Sequence, residues 1–210
     1  MDHEVERRKF FYCGFRELKT PILASLASAS VCLALLVSLS LPSVAKADHN
    51  PFPLVGEDVL KGTQAQVEAG EGDKVQVMIF LSQKCPCSDS HVAELKNLVT
   101  DFPEVQFVGV HSNIDESPEK TKEYFAKIDL PFPIIQDDNN KIADRMKAYK
   151  TPHAYVIVKN EIVYRGGVSD RKTYRPDSRL YLREALEDLK QKKPLRTPEA
   201  RTLGCAIPRN

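Results

Sequence analysis

The spacing of apolar and polar positions changes along the chain, and each change marks an element. Residues 75–81 (VQVMIFL) are an apolar run rich in Val and Ile, bounded by GEGD and SQKC, which predicts a buried strand. From Ser88 the spacing becomes helical: Val92, Leu95, Leu98 and Val99 share one face, and Pro103 stops the helix. Residues 105–110 (VQFVGV) predict a second buried strand. The stretch 117–128 opens on Ser-Pro-Glu, a good helix start. Residues 130–135 (LPFPII) read as extended between prolines, and 139–149 as a short amphipathic helix. Residues 154–158 and 162–168 flank a turn at Lys159-Asn160-Glu161 and predict a hairpin. A charged amphipathic helix follows over 178–193. The Pro-rich stretch 48–56 reads as extended, a small extra strand fits near 59–69, and the tail 194–210 has no clear periodicity.

The order β–α–β–α–α–β–β–α predicts an α/β fold, a mixed central β-sheet with helices on both faces. No internal repeat and no second folded domain are visible.

The first 47 residues have a different character. Arg7, Arg8, Lys9, Arg16 and Lys19 precede an uncharged run, 22–41, and Ala45 and Ala47 then form an A-x-A site before Asp48. This is the order of a secretory signal, so 1–47 is predicted to be a signal peptide and the mature protein to be exported to the periplasm. The alternative is an uncleaved anchor facing the periplasm, because about 20 apolar residues can span a bilayer. The remaining boundaries are a domain over 48–195 and a tail over 196–210 that carries Cys205.

Charge excludes one class of partner. The 210 residues hold 30 Lys and Arg against 29 Asp and Glu, and without the leader 24 against 25, so nothing suggests nucleic acid. Contact with a membrane is expected only through the N-terminal segment. Of five cysteines, Cys85, Cys87 and Cys205 remain after the leader. Three thiols in an oxidising compartment cannot all pair internally.

Cys85-Pro86-Cys87 stands where the strand at 75–81 hands over to a helix. Unpaired amides and a partial positive charge at a helix start stabilise a thiolate, whose pKa can fall from about 8.5 to about 3.5–7.5. Pro86 suits the first turn, and Lys84 adds a nearby cation. Cys85 is therefore the candidate nucleophile for attack on a disulfide sulfur. Only about 7 Å of extended chain separates positions i and i+2, so Cys85 and Cys87 are within reach of each other. The ring they would close is tight and easily reduced, which suits a redox-active disulfide better than a structural one.

The stretch FLSQKCPCSDSHVAEL, the Thr151-Pro152 step before AYVIV and the element order resemble the thioredoxin-like superfamily. Within it, the chain is similar to the envelope redoxin (alkyl hydroperoxide reductase/thiol-specific antioxidant-like) branch, over roughly residues 56–195. The resemblance implies a three-layer α/β/α sandwich and a thiol–disulfide oxidoreductase. It places the nucleophile on Cys85 and a cis proline on Pro152, whose backbone edge, with Thr151, receives the substrate chain. It also implies protein thiol or disulfide clients and a thiol protein as electron donor or acceptor. No Gly-rich phosphate loop appears, so no organic cofactor is expected.

The departures from that pattern matter. Lys84 replaces the Trp of W-C-x-x-C, Ser88 occupies the place of the second Cys, and Cys87 is shifted one residue earlier. A peroxidase would want P-x-x-x-T-x-x-C; Ser82 fits the hydroxyl position but Met78 stands where Pro belongs, so peroxidase activity is a secondary reading. The tail's T-L-G-C-A-I-P resembles a G-C-x-I ending in some envelope redoxin proteins, which implies that Cys205 swings to Cys85 or Cys87 as a resolving partner. His91 lies four residues after Cys87, so Cys85, Cys87 and His91 form an alternative site for a soft metal such as Cu(I). His153 follows Pro152 near the same mouth, whereas His111 and His49 show no special signal.

Overall fold

A computed structural model describes residues 51–209; the predicted leader and His49 lie outside the described residues. Their strands are β1 (Leu54–Asp58), β2 (Thr63–Val67), β3 (Val75–Leu81), β4 (Gln106–His111), β5 (Ile134–Gln136), β6 (Lys150–Thr151), β7 (His153–Val158), β8 (Glu161–Gly166) and β9 (Cys205–Ala206). The helices are α1 (Pro86–Ser90), α2 (Val92–Asp101), α3 (Pro118–Ile128), α4 (Lys141–Met146) and α5 (Tyr181–Lys190). None of them is long and apolar enough to cross a membrane.

Seven strands form one sheet in the order β2-β1-β5-β4-β3-β7-β8. β3 lies inside it, parallel to β4 and antiparallel to β7, so both of its faces are covered and its sequence is apolar except for Gln76. Alternate residues of β3 serve the two cores. Val77, Ile79 and Leu81 join Leu95 and Leu98 of α2, Phe125 of α3, and Leu182 and Leu186 of α5. Met78 and Phe80 join Ile142, Ala143 and Met146 of α4, with Tyr155 and Ile157 of β7. The result is the expected α/β/α sandwich around a mixed sheet, a thioredoxin-like fold. Leu98 is fully buried on the helix that supports the site. Leu98→Ala is expected to cost about 2–5 kcal/mol, read as a lower urea midpoint at unchanged slope.

Four local differences from the sequence reading have physical causes. Residues 54–58, read only as extended, pair with 63–67 as an edge hairpin of five registered pairs. The helix expected to run unbroken from Ser88 is interrupted at His91, which ends α1 and precedes α2. The helix expected over 139–149 is shorter, because Asn139, Asn140 and Lys147 have φ of 53°, 58° and 56° and bound it on both sides. The hairpin turn is the two residues Lys159 and Asn160, both with positive φ, the geometry that matches the twist of the flanking strands.

The largest difference is in the tail. Pro198 and Ala200 exchange backbone hydrogen bonds with Arg165 of β8, and β9 then pairs antiparallel with β6. The segment without periodicity is thus part of the folded unit, and no physical break falls at residue 195.

Candidate active site

Cys85 follows β3 by four residues and is the N-cap of α1, its Sγ accepting the Ser88 amide at 3.4 Å. Pro86 opens α1 and Cys87 comes next, so both thiols sit at the strand–helix junction. The junction is held from below by a buried carboxylate. Glu116 accepts the Ser82 hydroxyl, the Gln83 amide at 2.8 Å and the Lys84 amide at 3.4 Å. His111 Nε2, at the end of β4, lies 2.9 Å from its Oε2, and Gln136 Oε1 lies 2.8 Å from His111 Nδ1. Sequence reasoning missed Glu116 and passed over His111. The only signal for His111 was a polar residue ending an apolar strand, too common a feature to single out, and Glu116 carried none.

The Thr151–Pro152 peptide is cis and faces the thiols. The Thr151 carbonyl oxygen is 3.1 Å from Cys85 Sγ, within reach of its protonated thiol. β9 then places Cys205 directly opposite Thr151 in register. The sulfurs of Cys85, Cys87 and Cys205 all lie within 4.8 Å of one another, and all three are free thiols. Cys205 is therefore already docked at the site, and the swing expected of it is not needed.

The three sulfurs are unequal. Burial pushes the Cys85 thiol up, but hydrogen bonds from the Cys205 thiol, the Thr151 side chain and the Ser88 amide outweigh it and bring its pKa to about 7. Burial raises Cys87, and the Cys85 charge raises it further. Burial, together with the hydrogen bond to Cys85 and its charge, pushes Cys205 up to about 12. As pH rises through about 7, Cys85 is the first of the three to ionise, while Cys87 and Cys205 stay protonated. The cation expected at Lys84 has no part in this: its Nζ is 3.1 Å from Asp115 Oδ2 and also bonds the Asp115 carbonyl.

His91 is not directed at the sulfurs. Its Nδ1 is 2.7 Å from the Cys87 carbonyl oxygen and its Nε2 is 2.7 Å from Ser169 Oγ, so both ring nitrogens are engaged. In the three-donor cluster Cys205 stands where His91 was expected, and an all-sulfur set suits a soft cation. His153 packs on Tyr155 with ring centroids 4.5 Å apart; burial and then Arg165 bring its pKa down to about 4, leaving it neutral. The Ser82 hydroxyl, the candidate peroxidase hydroxyl, is spent on Glu116.

A mixed sheet carrying a thiol at the start of α1 opposite a cis proline defines a thioredoxin-like redox protein. The model of the AhpC/TSA family matches residues 49–165, more than half of the chain, and the chain belongs to that family. No curated protein matches it. Among solved structures it is similar to an uncharacterized conserved protein from Geobacillus kaustophilus. The identity is 28%, over 74% of this chain and 87% of that one, with a TM-score of 0.64. A hypothetical protein from Sinorhizobium meliloti 1021 is similar at 20% identity, over 74% and 90% of the two chains, with a TM-score of 0.65.

Proposed function

We propose that the protein is an exported thiol–disulfide oxidoreductase whose nucleophile is Cys85. The observation that supports this most is the Cys85 sulfur at the start of α1, with its pKa lowered to about 7 and two further thiols within 4.8 Å of it. The Cys85 thiolate attacks one sulfur of a client disulfide, and the other client sulfur leaves as thiolate. A second thiol of the cluster, Cys87 or Cys205, then attacks Cys85 Sγ, releases the second client thiol and leaves a disulfide within the protein. A thiol protein of lower potential restores the dithiol; a client of lower potential runs the sequence in reverse.

Formation of the mixed disulfide activates the resolving thiol. It removes the Cys85 charge and hydrogen bond that help hold Cys205 up, leaving burial and the neighbouring Cys87. Export rests on the leader read in residues 1–47, and the clients and electron partner are thiol proteins of the same compartment.

Non-reducing digestion and mass spectrometry of the oxidised protein test the assignment. The expected result is a linkage from Cys85 to Cys87 or Cys205. The variant lacking the true resolving thiol, Cys87→Ser or Cys205→Ser, is expected to accumulate the mixed disulfide. Oxidised protein in which Cys85 stays free would overturn the reading.

The three-sulfur cluster also favours a second reading, soft-metal binding by Cys85, Cys87 and Cys205. Titration of the reduced protein with Cu(I) separates the two: tight 1:1 binding lost in Cys205→Ser and kept in His91→Ala supports it.

A further inference from the structure

We propose that the edge Lys150–Thr151 is a strand-binding site for clients with Gly immediately before the reactive cysteine and a branched aliphatic residue two positions after it. Residues 204–207 of the same chain are its resident occupant. This inference rests on the thiol–disulfide reading above and specifies the client class of that site.

The tail occupies the edge as an extended peptide would. Cys205 pairs with Thr151 and Ala206 with Lys150, and the Ile207 amide donates to the Tyr149 carbonyl at 3.0 Å. Each position has its own tolerance. A Cβ on Gly204 would fall 1.9 Å from the Thr151 carbonyl oxygen and 2.7 Å from its carbon, and backbone of a cis-proline step cannot yield as a side chain could. Any other residue there would have to lift the strand off the edge. Cys205 places its sulfur within 4.8 Å of Cys85 Sγ. Ala206 is exposed, so the next position is unconstrained. Ile207 is 4% exposed and joins the apolar cluster of Met146, Ala148 and Tyr155.

The tail is also held on either side of 204–207, by Arg165 pairing with residues 198 and 200 and by Arg209, which donates to the Ala148 carbonyl and pairs with Asp144. Just upstream, residues 199–202 line one wall of a cavity of about 420 Å³. A client strand of matching pattern takes the vacated edge. The Cys85 thiolate then attacks the client's cysteine sulfur, forming one S–S bond and breaking another, and the displaced sulfur leaves as thiolate.

The test uses the full chain with the tail expelled, as Gly204→Val/Cys205→Ser, with Ile207→Asp/Cys205→Ser as an independent second variant. The probe is a synthetic peptide copying residues 202–208, its cysteine carried as a mixed disulfide with thionitrobenzoate, whose release is coloured. Each expelled-tail variant is expected to react at least about tenfold faster with this peptide than the single variant Cys205→Ser does, which keeps the tail docked and shares the loss of the third thiol. Peptides with valine for the glycine, or aspartate for the isoleucine, are expected to react at least about tenfold more slowly than the parent, as loss of the burial implies. Equal rates for all three peptides, or equal rates for Cys205→Ser with and without the expelling substitution, would overturn the inference, while reaction of the native chain with the free aromatic disulfide keeps the redox reading. If Cys85 fails to react even with that small disulfide, both fall.

Discussion

Replacing Cys85 by serine is expected to abolish disulfide exchange, lowering the rate at least about a thousandfold, because the attacking group itself is removed. A hydroxyl at this position keeps an oxygen for the Ser88 amide to donate to and a proton for the Thr151 carbonyl, so the fold should persist. The native rate should depend on pH through the same sulfur. Its pKa is lowered from 9.0 to about 7, so the thiolate is scarce below pH 7 and dominant above it. Exchange and alkylation rates are therefore expected to rise as pH passes through about 7 and to level off above it. An unperturbed thiol would still be rising near pH 9. Because the Cys205 thiol supplies one of the hydrogen bonds that lower Cys85, Cys205→Ala should move the midpoint upward. Alkylation followed by mass spectrometry at Cys85 across pH reads both effects. A native midpoint near 9, or no shift in Cys205→Ala, would contradict the electrostatic account of the site.

That account combines features the sequence shows with others it hides. The apolar run at 75–81, the helical spacing after it and the Cys-Pro-Cys between them are local patterns, and a nucleophile at their junction is legible from the order of residues alone. Thr151-Pro152 is legible because it stands before a buried hairpin strand. Three other features depend on contacts between residues far apart in the chain. Glu116 reaches Ser82 across 34 positions, and nothing near Glu116 announces a buried carboxylate. Lys84 looks like a partner for the thiolate until Asp115 is found to hold it. The tail has no period because it contributes one short strand to an edge, and a two-residue pairing leaves no repeat to detect. His91 misleads for a related reason: the spacing from Cys87 is right for a shared helical face, but Ser169, 78 residues later, draws the ring away.

Glu116→Ala is expected to destabilise the protein by about 3–5 kcal/mol, the usual cost of removing one partner from a buried charged network. The Ser82 hydroxyl, the Gln83 and Lys84 amides and His111 would all lose their acceptor at a place water does not reach freely. Glu116→Gln keeps one acceptor oxygen and is expected to cost less, about 1–3 kcal/mol. The pH dependence gives a second readout. Burial pushes the Glu116 carboxyl up, but the hydrogen bonds from His111 and Ser82 prevail, and it sits below its ordinary 4.5. A carboxyl with a lowered folded-state pKa contributes stability in full above 4.5, and the contribution fades as pH falls through the folded value. The gap between native protein and Glu116→Gln in urea melts should accordingly be constant near neutrality and narrow in acid below 4.5. Activity should fall with stability but for a separable reason. The amides that Glu116 holds belong to the two residues that lead into Cys85, and a slack junction moves the sulfur relative to the Thr151 carbonyl 3.1 Å away. The expected signature in Glu116→Gln is an upward shift of the Cys85 alkylation midpoint under conditions where the variant is still folded. An unshifted midpoint together with native stability would show that the carboxylate does not brace the site.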